Sequence, residues 1–293
     1  MSALRIDTSQ GVAWMDGELR PLAGASLHFL SHGLANASCV FEGLRVYDGR
    51  VFRLREHAAR LLESAAIVGM AVRWSLSEVV AAIEAVVAAQ RIGDGYVRPV
   101  VWRGHEALGI SGRGDRVHLA VAALPVGDPY AEVRAAGVRV ALSRWRRPAP
   151  DVAPVRAKAA ASYLVGGLAL AEAQAAGFDD ALMLGPSGGL AEATGANLFV
   201  VRAGRLVTPP PDCFLDGVTR REVIALAGAR GLAVDVRRID PCELGECDEA
   251  FLTGTAAEVL PIRAIDGRAL PAARPIGDAL VAAYRERVRR AGE

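Results

Sequence analysis

Apolar residues recur with helical spacing in two stretches of the N-terminal half. In RLREHAARLLESAAIVGM the residues that share one face are Leu54, Ala58, Leu61, Leu62, Ala65 and Val68. Gly69 ends that pattern, and a second pattern over LSEVVAAIEAVVAAQRIG begins at Ser75 or Ser77 and stops at Gly93. Serine caps helix starts and glycine ends helices, so the two stretches are predicted to be helices.

Strand patterns surround these helices. Asp16-Gly17 and Asp48-Gly49 are favoured pairs for tight turns, so VAWMDGELRPL and FEGLRVYDGRVFRL are each predicted to form two strands around a turn. YVRPVVWRG and RVHLAVAALPV are continuous enough in apolar residues to be buried strands. The alternation of helices and strands indicates an α/β (α+β) fold.

The pattern breaks at Pro125, Gly127, Asp128 and Pro129. We therefore predict an interdomain linker over 125–135, between an N-terminal α/β domain (1–124) and a C-terminal α/β domain (136–293). The C-terminal strands are predicted over VRVALS, ALML, NLFVVRAGRLVT, AVDVRRI and EAFLTG. The helices of the C-terminal domain are predicted from about Ala159 to Ala176, over TRREVIALAGARG and over IGDALVAAYRERVRR. A chain of 293 residues is long enough for two such domains.

Composition excludes several function classes. The net charge is +1 and no basic run is interleaved with aromatics, which argues against nucleic acid as a partner. The cluster Arg144, Arg146 and Arg147 is interpreted as a solvated turn before Pro148. The four cysteines form neither a CxxC pair nor a group with histidine, so no metal site is expected. The N-terminus MSALRIDTSQ has no apolar core of signal-peptide length, and no segment approaches 18 uninterrupted apolar residues. We therefore expect a cytoplasmic, soluble protein with no membrane partner.

Lysine usage is the sharpest compositional signal. Of the 34 basic residues one is a lysine, Lys158, and 33 are arginines. Surface positions need only charge, which arginine supplies, whereas an amine can lose its proton and attack a carbonyl. Lys158 is therefore a candidate reagent, although a lysine-poor chain can also keep one lysine by chance.

Four stretches carry candidate chemistry. Lys158 precedes a run of small residues, AAASYLVGGLALAEA, in which Tyr163 could reach a bound ligand or simply pack. Glu192, in a glycine-flanked turn, could pair with a ring nitrogen or face water. Thr219, after Gly217, could bind phosphate at a helix start or serve as an N-cap. Thr255 opens another small-residue turn. An amine, a ring-nitrogen partner and two anion-binding turns are what pyridoxal phosphate requires.

The sequence resembles the class IV aminotransferases. E-A-T-G-A-N-L-F at 192–199, L-V-T at 206–208 and L-D-G-V-T-R at 215–220 follow that family's signature in order and spacing. FEGLRVYDG, HAARL, YVRPVV and TGTAAEVLPI are similar to the branched-chain amino acid aminotransferases in particular. The resemblance extends from about residue 10 to 270. It implies a two-domain fold type IV enzyme with pyridoxal phosphate in the interdomain cleft, and a homodimer.

The resemblance also implies how the cofactor is held. Lys158 would be the catalytic residue, forming the Schiff base with the cofactor and shuttling a proton. Glu192 would pair with the protonated pyridine nitrogen and Tyr163 with the phenolic oxygen. The phosphate would be bound by Arg60, Val218, Thr219 and Thr255.

Substrate-binding residues follow from the same resemblance. The turn Thr255, Ala256 and Ala257 would bind the substrate carboxylate through backbone N–H groups. Phe41, Gly43, Tyr96 and Arg98 would line the site.

One stretch departs from the family's pattern. Branched-chain aminotransferases usually carry a tyrosine five residues before the phenylalanine of F-E-G, where this chain has Asn36, and Ala35 replaces the preceding histidine. Tyr130 is a candidate to take part of the missing role. The reaction type should survive, whereas the substrate preference is open.

Several functions fit these observations. The leading expectation is ping-pong transamination between a small aliphatic, branched-chain-like L-amino acid and a 2-oxo acid such as 2-oxoglutarate. Within the fold, the alternatives are a D-amino acid or amine transaminase and a lyase of the aminodeoxychorismate type. Outside it, they are a cofactor-free Schiff-base aldolase and a catalytically silent binding protein.

Overall fold

Residues 7–290, the range described by the computed structural model, divide into two units. The N-terminal unit comprises residues 7–127 and 157–161, and the C-terminal unit comprises residues 128–156 and the chain from 162 onward. The chain changes units between Gly127 and Asp128, inside the predicted linker. The end of that predicted linker is not an irregular loop, because a helix begins at Ala131.

The N-terminal unit is built on one antiparallel sheet of seven strands. The strands are β1 (Val12–Met15), β2 (Glu18–Pro21), β3 (Cys39–Phe41), β4 (Leu44–Tyr47), β5 (Arg50–Val51), β6 (Gly95–Arg103) and β7 (Val117–Pro125). Their order is β2-β1-β7-β6-β4-β5, with β3 also paired to β6. Both predicted tight turns are confirmed: Asp16 and Gly17 have φ of 57° and 119°, and Asp48 and Gly49 have φ of 50° and 78°.

Three helices accompany this sheet. They are α1 (His32–Ala35), α2 (Leu54–Ile67) and α3 (Leu76–Ala89). Ser75 and Glu78 form a reciprocal capping box at α3, which selects Ser75 over Ser77 as the helix start. The apolar faces of α2 and α3 join the strands in one core, where Leu61 and Ile83 are fully buried.

The C-terminal unit contains a second, nine-stranded sheet. Its strands are β8 (Val138–Arg146), β9 (Asp180–Leu184), β10 (Leu190–Ala193), β11 (Asn197–Arg202), β12 (Arg205–Thr208), β13 (Val234–Val236), β14 (Glu249–Gly254), β15 (Glu258–Ile265) and β16 (Arg268–Ala269). Their order is β10-β9-β8-β15-β14-β11-β12-β13. Because β10 also pairs with β11, at Glu192 opposite Asn197, strands β8 to β11, β14 and β15 form a closed ring.

Four helices belong to the C-terminal unit: α4 (Ala131–Ala136), α5 (Tyr163–Ala175), α6 (Val218–Gly228) and α7 (Pro275–Arg289). The helix predicted from about Ala159 begins later, at Tyr163, after a 3-10 turn over Ala160–Ser162. None of the helices between residues 7 and 290 is long and apolar enough to cross a membrane.

Lys158 lies with the N-terminal unit, so its predicted place in the C-terminal domain is wrong. Its backbone N–H donates to Ser64 Oγ over 3.0 Å, and its carbonyl accepts from Phe41 N over 3.1 Å. Ala159 forms a β-bridge with Val40. These long-range bonds tie residues 157–161 to β3 and α2, which no local sequence pattern reveals.

Candidate active site

Lys158 is held on both sides by buried neighbours. Ala157 and Ala159 are 3% and 4% exposed and belong to the core of the N-terminal unit. The Lys158 ammonium nitrogen lies 4.8 Å from the centre of the Phe41 ring. Fixing the backbone at this point fixes where the amine can reach, as a nucleophile requires.

A buried carboxylate, Glu42, anchors the charged groups around Lys158. Its side chain is fully buried and accepts from His57 Nδ1 over 2.8 Å. It accepts twice from Arg60, over 2.6 Å from Nε and 3.0 Å from Nη2. His57 and Arg60 are three residues apart on α2 and therefore present to the same side. The predicted phosphate ligand Arg60 is thus oriented by a two-point ion pair.

The same groups set the protonation of the amine. Burial lowers the pKa of Lys158 to about 8, against the attraction of Glu42, which raises it. Burial alone would raise the pKa of Glu42, but Arg60 and the His57 hydrogen bond outweigh it and lower that pKa to about 2. Burial also lowers the pKa of His57. At neutral pH Lys158 is therefore much closer to its neutral, nucleophilic form than an ordinary lysine.

Four predicted substrate residues lie together in the N-terminal unit. A Cβ at Gly43 would lie 1.9 Å from the Tyr96 hydroxyl. The Tyr96 ring can therefore occupy its position only because residue 43 is glycine. Arg98 donates to the Tyr96 hydroxyl over 3.1 Å and stacks 4.7 Å from the centre of the Phe41 ring. Asn36 follows α1 and is exposed.

Glu192 lies in the C-terminal unit, where the ring of strands closes. It is 5% exposed, forms an ion pair with the Arg147 guanidinium and accepts from Asn197 Nδ2 over 2.9 Å. It is therefore not the water-facing turn residue that was the alternative. Arg147 is buried, so its interpretation as part of a solvated turn is wrong, whereas Arg144 and Arg146 are exposed.

The start of α6 offers backbone donors. Gly217 is the N-cap and, as a glycine, has no side chain that could accept a hydrogen bond from the first turn. Val218 and Thr219 follow in that turn and are buried. Thr219 therefore lies inside the helix and is not the N-cap. The first N–H groups of a helix lack intrahelical partners and attract anions. This arrangement supports the predicted phosphate role of Val218 and Thr219.

The remaining predicted residues also belong to the C-terminal unit. Thr255, Ala256 and Ala257 form the turn between β14 and β15, where Gly254 pairs with Glu258. Tyr163 begins α5 and Tyr130 is the N-cap of α4.

Four functional candidates had not been singled out from the sequence: Glu42, His57, Arg147 and Asn197. Glu42 is the middle residue of F-E-G and His57 precedes Arg60 by one helical turn, so both had a recognisable local signal. Arg147 had none, because its partner Glu192 is 45 residues away.

The chain is similar to known proteins over most of its length. The family described as "Amino-transferase class IV" matches residues 39–265. A probable branched-chain-amino-acid aminotransferase of Rickettsia bellii is 40% identical over 86% of each chain. The branched-chain-amino-acid aminotransferase of Pseudomonas aeruginosa is 39% identical over 94% of this chain and 92% of its own.

Solved structures are also similar. The branched-chain aminotransferase from Thermoproteus uzoniensis with norvaline has a TM-score of 0.91 and 40% identity over 95% of both chains. The branched-chain aminotransferase from Thermobaculum terrenum in its PLP-form has a TM-score of 0.87 and 33% identity over 97% of this chain and 95% of its own. This chain belongs to the class IV aminotransferase family.

Proposed function

We propose that this chain is a pyridoxal-phosphate-dependent transaminase. It exchanges an amino group between a small aliphatic, branched-chain-like L-amino acid and a 2-oxo acid such as 2-oxoglutarate, by a ping-pong mechanism. The observation that carries the proposal is the placement of Lys158, bonded through its backbone to Ser64 and Phe41 in the unit where Glu42 orients Arg60.

The chemistry of the donor set fits pyridoxal phosphate. The group has an aldehyde, a basic ring nitrogen and a phosphate. Lys158 offers an amine with a pKa of about 8. Glu192 is a buried carboxylate. Arg60 and the start of α6 offer donors suited to phosphate.

Each residue then has a defined task. When bound, pyridoxal phosphate supplies an electron-withdrawing ring that stabilises negative charge next to the substrate nitrogen. Lys158 would hold the aldehyde end of the group through its amine and, once displaced by the substrate, would move a proton between the substrate α-carbon and the cofactor carbon. Glu192, fixed by Arg147 and Asn197, would keep the ring nitrogen protonated. Tyr163 would donate to the phenolic oxygen.

The substrate preference rests on the N-terminal unit and on relatives. Norvaline is bound by the Thermoproteus uzoniensis relative, and 4-methylvaleric acid by a second solved branched-chain amino acid aminotransferase, 37% identical to this chain. Both ligands are small aliphatic carboxylates. Phe41 and Tyr96 offer apolar ring surface for such a side chain, and Arg98 offers charge for the distal carboxylate of glutamate. Because Asn36 replaces the usual tyrosine, the competing substrates are D-amino acids, amines and those of a lyase.

A donor screen tests the proposal. The holoenzyme is mixed with L-leucine, D-alanine, an ω-amine or aminodeoxychorismate, and its visible absorbance is followed without an acceptor. We expect L-leucine to bleach it fastest and 2-oxoglutarate to restore it. Faster reaction with D-alanine or the amine would favour those transaminases, and pyruvate release from aminodeoxychorismate would show a lyase. A colourless but active protein would instead support the aldolase alternative.

We also propose a homodimer, because the N-terminal unit exposes large apolar side chains. Phe29, Leu34, Leu108 and Ile110 are 71%, 62%, 86% and 92% exposed. His32 Nε2 lies 2.9 Å from the Gly109 carbonyl oxygen. This contact joins the segment that carries Phe29 and Leu34 to the segment that carries Leu108 and Ile110. Exposed clusters of this kind mark interaction surfaces. Light scattering should give twice the 30.8 kDa of one chain; a mass near 30.8 kDa would contradict the dimer.

A further inference from the structure

The turn between β14 and β15 ends on a residue with an unfavourable backbone conformation. Glu258 has φ of 60°, in the left-handed region where glycine is the favoured residue. Its side chain is also buried, with 5% of the residue exposed. Strained, buried, charged residues are retained where the surroundings hold them in place. The contacts of the carboxylate therefore indicate what this residue does.

Two arginines and a second carboxylate surround it. Glu258 Oε2 lies 3.2 Å from Arg134 Nη2 and 3.7 Å from Arg285 Nε. Asp128 Oδ2 accepts from both arginines, over 2.6 Å in each case. We call these four residues the Arg134 cluster. Its two cations and two anions sum to no net charge.

Arg134 also contacts the turn directly. It is 4% exposed, and its Nη2 donates to the Ala257 carbonyl oxygen over 3.1 Å. The cluster thus holds Ala257 through its backbone and Glu258 through its side chain. The Ala257 carbonyl lies in the peptide plane that joins Ala257 to Glu258, so this contact fixes the end of the turn. A fixed end restricts the orientations that the preceding N–H groups can adopt toward a carboxylate.

We propose that Arg134 and Glu258 are positioning residues that hold the Thr255–Ala257 turn in the shape that binds the substrate carboxylate. The inference rests on the proposed function, which gives that turn its carboxylate. Both the amino acid and the 2-oxo acid carry this carboxylate, so binding of both depends on the cluster.

Substitutions at three positions test the proposal. Arg134→Met removes the contact to Ala257, and Glu258→Gly removes the ion pair while relaxing the backbone. Arg285→Met is the matched control, because it removes charge from the cluster without touching Ala257. The readouts are the Kd of the unreactive 4-methylvaleric acid on the holoenzyme, kcat and KM for L-leucine and 2-oxoglutarate, and bound pyridoxal phosphate.

We expect Arg134→Met to raise the Kd and both KM values about ten-fold, as for one lost hydrogen bond from a charged donor, with kcat changed less. Glu258→Gly, which removes an ion pair, should raise the same constants by a similar factor. Bound cofactor should stay at the wild-type level, and Arg285→Met should change the Kd less than two-fold. Wild-type Kd values in both test variants would overturn the proposal, as would an equal effect of Arg285→Met. If Arg134→Met fails to fold, Glu258→Gly decides, because glycine is suited to that φ. A wild type without cofactor or leucine activity would instead overturn the proposed function.

Discussion

The lowered pKa of Lys158 leads to a quantitative prediction. A pKa of about 8, against the ordinary 10.5, is a difference of 10.5 − 8 = 2.5, or roughly 3 kcal/mol against the charged form. At neutral pH the neutral amine is then about 300-fold more abundant than in an exposed lysine. Glu42 raises this pKa, so replacing it with an uncharged residue should lower the pKa further. We therefore expect a midpoint near 8 in the wild type and a lower one in Glu42→Gln.

The single lysine makes the assay direct. Reductive methylation of the cofactor-free protein with ¹³C-formaldehyde labels the N-terminus and Lys158, because there is no other lysine. Of the two labelled signals, the one that is absent from Lys158→Met belongs to Lys158, and its chemical shift from pH 6 to 11 titrates that residue alone. Glu63→Gln, an exposed glutamate on the same helix as Arg60, is the matched control and should leave the midpoint unchanged.

Protein stability provides an independent check. A lysine whose folded pKa lies below its unfolded pKa binds fewer protons in the folded state. Between about pH 8 and pH 10.5, its contribution to the free energy of unfolding therefore rises. Lys158→Met should remove this rise and increase the Tm of the cofactor-free protein below pH 8. A wild-type midpoint near 10.5, or a higher midpoint in Glu42→Gln than in Glu63→Gln, would refute the reasoning.

Three further predictions concern single positions. Lys158→Arg keeps the charge but not the removable proton, so transamination should fall by at least about 1,000-fold while the fold is retained, as circular dichroism would show. Gly43→Ala puts a Cβ 1.9 Å from the Tyr96 hydroxyl, so the KM for L-leucine should rise, and Gly43→Ala combined with Tyr96→Phe should partly restore it. Burial raises the pKa of Asp180, which accepts from Thr194 Oγ1 over 2.6 Å. The stability that this carboxyl contributes when protonated is lost as pH rises through its folded pKa. The Tm of Asp180→Asn minus the Tm of the wild type should therefore increase with pH. A constant difference would contradict this.

Much of the fold could be predicted because its signals are local. The Asp-Gly pairs specify their turns through positive φ, and the Ser75 box specifies where α3 begins. The place of Lys158 could not be predicted in this way. Its segment is attached by Ser64, which is 94 residues away, and by the β-bridge to Val40.

Within the site, reagents were easier to predict than their supports. Lys158 stood out because it is the one lysine, and Glu192 because of the motif around it. The groups that orient them, Glu42 and Arg147, are ordinary charged residues until their partners are known. A buried ion pair depends on two distant positions, and a single sequence shows only one at a time.

The structure also changes the meaning of the arginines. The sequence suggested that 33 positions need only charge. Arg60, Arg147 and Arg134 need more, because each is largely buried against a glutamate: Glu42, Glu192 and Glu258 respectively. Arg60 and Arg134 bind two acceptor atoms each, which suits the planar guanidinium and not the compact ammonium of lysine. Substituting lysine at either position would keep the charge but lose one contact and leave part of a buried carboxylate or carbonyl unpaired. If the proposed function holds, the chain separates two tasks by residue type: arginine forks orient the carboxylates and the turn, and the one lysine reacts.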